Sequence, residues 1–254
     1  MASWALLLEY DGSPFIGWQR QQSGSSIQGA LEAAASRLNR GDPVESVVAG
    51  RTDAGVHATA QVAQLALAPD YDADTLRKAL NYHLKPYPIV VLKAALAAPG
   101  WHARFSAIGR VYCYRILNRG PRPGLLAGRV WHVHRPLDAE AMQRAARQLL
   151  GRHDFTSFRA ASCQGGSPLR TLDRLEVQRV GEIIEITAAA RSFLQHQVRN
   201  MVGTLKLVGE GSWSPEQVGH VLAAKDRSAA GPTAPAEGLY LTRVDYPIDP
   251  FSPA

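Results

Sequence analysis

The segment Val44-Glu45-Ser46-Val47-Val48-Ala49-Gly50-Arg51-Thr52-Asp53-Ala54-Gly55-Val56-His57-Ala58-Thr59-Ala60-Gln61-Val62-Ala63-Gln64-Leu65-Ala66-Leu67 decides how this 254-residue chain is read. Val44 to Ala49 reads as a strand, and Ala58 to Leu67 as a second one leaving the loop between them. That loop, Gly50 to His57, holds one carboxylate between two glycines, with Arg51 two residues before it and His57 four beyond. Glycines relax the backbone on either side of Asp53. A carboxylate that must stay ionised in a partly dry site needs a cation near it, and an arginine lowers its pKa. The loop is not a phosphate cradle, because the Gly-x-x-x-x-Gly-Lys pattern is missing. A metal held by Asp53 and His57 would lack a third ligand nearby. Residue chemistry alone leaves Asp53 either as a catalytic carboxylate or as an Asx-type turn residue that caps the loop.

Working outward, Trp4, Leu6, Leu8 and Tyr10 alternate as a first strand, broken by Asp11-Gly12-Ser13-Pro14. Ser25 and Gln28 have capping-box spacing, Ile27, Leu31, Ala34 and Leu38 keep helical spacing, and Gly41 stands as terminator. A helix is expected over Asp74 to Leu84 and a strand over Ile89 to Leu96. Val111 to Leu117 reads as a strand, and Gly120 to Gly128 as a loop. Asp138 to Leu150 reads as a helix closed by Gly151. Strands at Leu172 to Arg179 and Glu182 to Ala190 pair through Val180-Gly181. Phe193 to Val208 predicts a helix that Gly203 weakens. Ser214-Pro215-Glu216-Gln217 starts another, and Leu239 to Val244 closes as a strand. Strands and helices alternate in both halves. The pattern predicts two α/β units meeting near residues 100 to 110, and a cleft between such units is a usual place for a site.

Hydrophobic residues are 46% of the chain and charged ones 20%, with a formal charge of +6. That composition excludes disordered, fibrous and repeat-array classes. The distribution of charge says more than its sum. Between Trp101 and Arg135 stand Arg104, Arg110, Arg115, Arg119, Arg122, Arg129 and Arg135, with no Asp or Glu. Phe105, Tyr112 and Tyr114 lie among them. Guanidinium forks fit phosphate oxygens and aromatic rings give bases a flat partner, so this stretch is either a nucleic-acid contact or a solvated basic face. Cys113 and Cys163 cannot build a disulfide framework and lack metal-ligand spacing, which favours a reducing, cytoplasmic setting. No run approaches membrane-spanning length, and the apolar stretch after Trp4 stops at Glu9, too soon for a signal peptide.

The octet around Asp53 resembles the active-site signature of the tRNA pseudouridine synthase A family. Five further motifs resemble that family in the same order. They are Tyr10-Asp11-Gly12-Ser13 with Gly17-Trp18-Gln19-Arg20-Gln21; His102-Ala103-Arg104-Phe105-Ser106-Ala107 with Arg110-Val111-Tyr112-Cys113-Tyr114; His153-Asp154-Phe155-Thr156-Ser157-Phe158; Phe193-Leu194-Gln195-His196-Gln197-Val198-Arg199-Asn200-Met201-Val202-Gly203; and Glu237-Gly238-Leu239-Tyr240-Leu241. Together they span nearly the whole chain. The resemblance implies a pseudouridine synthase fold, an α+β arrangement of two α/β units with antiparallel sheets, residues 1–106 and 107–254, and a catalytic cleft between them, with Asp53 as nucleophilic aspartate and Tyr112 as the ring stacking on the target uracil. It makes Arg199 the partner of the aspartate and assigns Arg51 to the place of a flipped nucleotide, although Arg51 could equally be the ion partner of Asp53. Arg104 and Arg110 fall in the central motif and are expected on the substrate. No cofactor and no metal are implied. The partner is transfer RNA, gripped at the anticodon arm by a homodimer. Two departures are visible: Asn81 to Ile89 differs from the family's usual loop, and Gln197 stands where methionine is common, leaving Arg199 in register.

The chemistry implied asks for these groups. Moving the sugar's bond from N1 to C5 of uracil makes an electron-poor sugar, which a carboxylate stabilises or traps. Charge then developing on uracil is offset by cations and N–H groups, and the C5 proton needs a base within reach. The target must also leave its stack, and a guanidinium can fill the gap. Two rival readings stand beside this one: an RNA-binding scaffold without catalysis, which predicts loss of Asp53 or Tyr112, and a nucleosidase that releases free base. Trp18, Phe155 and Phe158 read as core, His57 and His196 as hydrogen-bonded framework, and Tyr114 as either core or pocket.

Overall fold

The computed structural model describes residues 1–161 and 166–252; Cys163, for which no role was expected, falls outside the described residues. In chain order the elements are β1 (Ala2–Tyr10), α1 (Ile27–Leu38), β2 (Ser46–Val48), β3 (His57–Leu67), α2 (Ala73–His83) and β4 (Ile89–Leu96). They continue as β5 (Gly109–Asn118), β6 (Trp131–Val133), α3 (Ala139–Ala146), β7 (Gly151–Asp154) and β8 (Leu169–Val180). The remainder is β9 (Ile183–Ala190), α4 (Gln197–Gly209), α5 (Gln217–Ala224) and β10 (Leu239–Asp245). Most pairings are antiparallel, with parallel pairing at β3–β10 and β5–β6.

Two compact units result: Met1–Arg110 with the chain from Tyr240 onward, and Val111–Leu239. The C-terminal stretch, expected in the second unit, clusters with the first. Tyr240 and Leu241 pair in parallel with His57 and Ala58, so β10 completes the first unit's sheet. A strand added from far along the chain leaves no local mark in its sequence.

In the first unit the strands run β4-β1-β3-β10, with β2 also on β3. Trp4, Leu6, Leu8 and Tyr10 are all buried, as their alternation requires. On α1 the buried residues are Ile27, Leu31, Glu32, Ala34 and Ala35, where each large aliphatic stabilises by roughly 1.5–3 kcal/mol. The helix is capped by Ser26, whose hydroxyl accepts from the Gly29 N–H at 3.1 Å. The expected box at Ser25 does not form, because Gln28 is used elsewhere. Its amide donates to Glu32 and its oxygen accepts from the Arg20 N–H.

In the second unit the order is β5-β9-β8-β7, with β6 on β5. The strands β6 and β7 were not legible: each is three or four residues, too short for a pattern. Helix α3 is capped by Asp138 and passes into a 3₁₀ turn at Arg147–Leu149 before β7. Helix α4 starts four residues later than predicted, because His196 takes a left-handed conformation with φ 61°. Gly203 is not a weakness in it. A Cβ there would stand 1.7 Å from the Pro232 carbonyl oxygen, so the close approach of two backbones demands glycine. Helix α5 starts after Glu216 with no side-chain cap, two residues beyond the predicted cap at Ser214.

Candidate functional site

Asp53 sits in the eight-residue link between β2 and β3, part-exposed, between buried Thr52 and exposed Ala54. A turn closes over it: the Val56 N–H donates to the Asp53 carbonyl at 3.1 Å, and Gly55 supplies φ 76°. The residue before it is pinned twice. Thr52 Oγ1 is 2.8 Å from the Tyr10 hydroxyl, and the Thr52 carbonyl accepts from the Trp18 N–H at 3.0 Å. Gln61 Nε2 reaches both the Tyr10 hydroxyl, at 3.3 Å, and the Gly50 carbonyl, at 2.7 Å. Burial pushes the Tyr10 phenol up to about 12, against the lowering influence of its bonds to Thr52 and Gln61. It therefore stays a neutral hydroxyl at any physiological pH.

The N-terminal motif supports this loop from behind. Gly12 and Gly17 are glycines because the loop's backbone lies against them. A Cβ on Gly12 would meet the Val56 carbonyl oxygen at 2.0 Å, and one on Gly17 would meet the Thr52 oxygen at 2.9 Å. Trp18, only 1% exposed, packs its ring near Tyr10 while its amide holds Thr52, so the packing role expected of it is joined to a positioning one. His57 is buried, stacked on Tyr240 at 4.7 Å, with Nδ1 3.1 Å from the Gly12 nitrogen and 3.2 Å from Asp11 Oδ1. That is a framework histidine. On the outer side, Glu32 Oε1 accepts from the backbone and hydroxyl of Ser46, tying α1 to the start of β2. Arg20 Nη1 stands 3.2 Å from Glu32 Oε2, near enough for charge pairing though not in hydrogen-bonding geometry.

The first unit's arginines differ sharply. Arg51 is exposed. Arg104 is exposed, with its guanidinium carbon 5.8 Å from the centre of the Phe105 ring. Arg110 is 8% exposed and anchors backbone: Nη2 donates to the Ala49 carbonyl at 2.7 Å and to the Arg104 carbonyl at 2.9 Å, and Nη1 donates to Ala107 at 3.2 Å. It thus bolts the chain entering the Asp53 loop to the segment 104–107. No sequence signal separated this arginine from its exposed neighbours.

In the second unit, Tyr112 on β5 is 9% exposed and meets Phe193 edge-on, ring centres 5.3 Å apart. Arg199 lies in the first turn of α4 and exchanges two bonds with one residue. Its Nε donates to the Ala234 carbonyl at 2.8 Å, and its own carbonyl accepts from the Ala234 N–H at 3.1 Å. The strap Gly231–Pro235 that carries Ala234 is fastened along its length. Thr204 Oγ1 accepts from the Gly231 N–H, Thr233 Oγ1 donates to Asn200 Oδ1 at 2.6 Å, and Arg227 donates to Gly231, Thr233 and Asn200. Asn200, fully buried, closes the network by donating to the Phe158 carbonyl. The Tyr114 hydroxyl donates to Pro235 at 2.7 Å, and burial pushes its pKa up despite the opposing influence of Arg199. Tyr114 is therefore framework. Sequence reading missed this brace entirely, because Asn200, Thr233 and Arg227 come from three separate segments. Gln197 does local work: its Oε1 accepts from the Leu194 N–H at 2.8 Å at the start of α4.

Comparison with known proteins bears on this arrangement. The model of the family described as tRNA pseudouridine synthase matches residues 7–106 and 145–247, covering the Asp53 loop and the Arg199 helix. The chain belongs to the tRNA pseudouridine synthase A family. A protein of Acidiphilium cryptum named tRNA pseudouridine synthase A is 64% identical over 99% of both chains. Proteins of the same name from Rhodospirillum centenum and Gluconobacter oxydans are 60% and 57% identical, over 97% and 98% of this chain and 100% and 91% of theirs. As a family member, the chain carries its glycine-flanked aspartate on a loop held by Tyr10, Trp18 and Gln61. Among the described residues, no helix is long and apolar enough to cross a membrane.

Proposed function

We propose that this chain isomerises uridine to pseudouridine in the anticodon stem-loop of transfer RNA, with Asp53 as its catalytic carboxylate. The observation that carries this reading is the Asp53 loop. Four separate parts of the first unit, Gly12, Gly17–Trp18, Tyr10 and Gln61, converge to fix the backbone around one part-exposed carboxylate. Convergent support of this kind is costly in chain entropy and belongs to a group that must be held to a fraction of an ångström.

In the reaction the N1–C1′ bond breaks, the base turns, C5 bonds to C1′, N1 gains a proton and C5 loses one. Asp53 stabilises or traps the electron-deficient sugar. Tyr112 lays its ring on the uracil. Arg199 offsets negative charge, its guanidinium aimed by the Nε bond to Ala234. Arg51, exposed and two residues before Asp53, takes the place that the everted nucleotide leaves, since a guanidinium plane stacks on bases. Arg104 meets phosphate or base, and Arg110 serves from within by fixing the loop's entry. The residues from 107 onward complete the RNA-binding surface. The enzyme works in the cytoplasm, where transfer RNA matures, and as a homodimer, since a single chain has little surface with which to grip a stem-loop.

The test is incubation with unmodified transfer RNA followed by carbodiimide mapping of pseudouridine. Asp53→Asn is expected to abolish product while binding RNA within about 3-fold of the parent, because the side chain's size is kept. Full activity in Asp53→Asn refutes the assignment, and free uracil as product would make the chain a nucleosidase.

A further inference from the structure

Beside Arg104, in the segment His102–Ala107, stands an aromatic ring that the reaction above does not use. Phe105 is 74% exposed, in a chain that buries Phe15, Phe155 and Phe158 almost completely. Its ring is not loose. The His102 ring stacks on it with centres 4.4 Å apart and planes at 27°. His102 Nδ1 accepts from the N–H groups of both Arg104 and Phe105, at 3.1 and 3.2 Å, while the His102 N–H donates to Ser106 Oγ. The turn is therefore fixed by the same histidine that backs the ring. Because Nδ1 accepts, a neutral His102 carries its proton on Nε2. The Arg104 guanidinium sits beside the ring, 5.8 Å from its centre. Trp101 to Arg135 contains no acidic residue to oppose an anionic partner.

An exposed leucine such as Leu125 needs no explanation. A pre-ordered phenyl ring backed by an imidazole and flanked by a guanidinium is a different object, since flat, cation-edged surfaces are what unstacked bases bind. The platform is also tied to the reacting loop. Arg110 Nη2 grips the Arg104 carbonyl and the Ala49 carbonyl together, one residue before Gly50.

We propose that Phe105, backed by His102 and flanked by Arg104, is a second base-binding subsite that stacks an unpaired nucleobase of the RNA other than the reacting uridine. This rests on the RNA-modifying reading above and deepens it. Arg110 is the positioning residue that holds this platform and the Asp53 loop in fixed register, so that a base seated on Phe105 places its neighbour for reaction.

The experiment uses the whole protein and an anticodon stem-loop RNA, with a set of RNAs each carrying one abasic residue at a loop position. Base–aromatic stacking is worth about 1–3 kcal/mol per base, or roughly 5- to 140-fold in affinity. Phe105→Leu is expected to raise Kd and KM within that range with kcat changed by less than about 2-fold, and Phe105→Trp to restore the parent values. For one abasic RNA the Phe105→Leu penalty should vanish, which identifies the stacked position. Parent-like binding by Phe105→Leu, or an equal penalty on every abasic RNA, overturns the subsite while leaving the isomerase reading intact. Failure of the parent protein to form pseudouridine in the same RNA overturns the reading on which it rests.

Discussion

Replacing Gly17 by alanine tests whether the N-terminal motif exists to position Asp53. Gly17 has φ 107°, a conformation that costs a residue with a Cβ about 1–3 kcal/mol. The new methyl would stand 2.9 Å from the Thr52 carbonyl oxygen, 3.1 Å from the Ala54 nitrogen and 3.2 Å from the Asp53 carbonyl carbon. All three are backbone atoms and cannot rotate away, so the loop must retreat by several tenths of an ångström. The Trp18-to-Thr52 hydrogen bond, now 3.0 Å, stretches with it, at about 1 kcal/mol. The sum is a stability loss of about 2–4 kcal/mol. Since misplacement by 1 Å can cost about 100-fold, a retreat of half that size is expected to lower kcat about 10-fold. Gly41→Ala is the control. It carries φ 91° but nothing lies within 4 Å of its added Cβ, so it suffers strain without displacing the loop. Stability is read by urea denaturation, and turnover by release of tritium from RNA labelled at uridine C5, because that proton leaves in the reaction. A folded Gly17→Ala protein with parent kcat refutes the reasoning, as does an equal kcat loss in Gly41→Ala.

Thr233→Val keeps the shape of the side chain but removes the hydroxyl that donates to Asn200 and accepts from Arg227. It is expected to cost about 1–2 kcal/mol of stability and to lower kcat about 10-fold with RNA affinity unchanged; a loss confined to affinity would show that the brace does not act through Arg199. Alkaline titration should expose Tyr10. Its folded value of about 12 lies above the ordinary 10, so its contribution is whole below pH 10 and is lost as pH rises toward 12. Between pH 9.5 and 11.5 the parent is expected to lose on the order of 2 kcal/mol more stability than Tyr10→Phe, measured by denaturation at each pH. Tyr114 and Tyr246, also raised by burial, add a further loss common to both proteins.

The sequence by itself determined the elements with strong periodicity: β1, β3, α1, α2, β4, and the β8–β9 hairpin turning at Gly181. Side-chain alternation and helical spacing are local properties, so they survive without knowledge of the fold. It also pointed to Asp53, because two glycines and an arginine around one carboxylate form a compact pattern. Composition drew attention to Arg104 and Arg110 equally. Only tertiary structure separated them, sending one to solvent and burying the other on three carbonyls. It likewise returned β10 to the first unit, shortened α4 by a left-handed His196, and explained Gly12, Gly17 and Gly203 by backbones that pass against them. In the brace around Arg199, Ala234 lies 35 positions from the arginine and Phe158 lies 42 from Asn200, and the tyrosine behind Asp53 lies 42 positions from Thr52. Such partners are chosen by where the chain returns in space, and packing between distant segments leaves no periodic trace along the sequence.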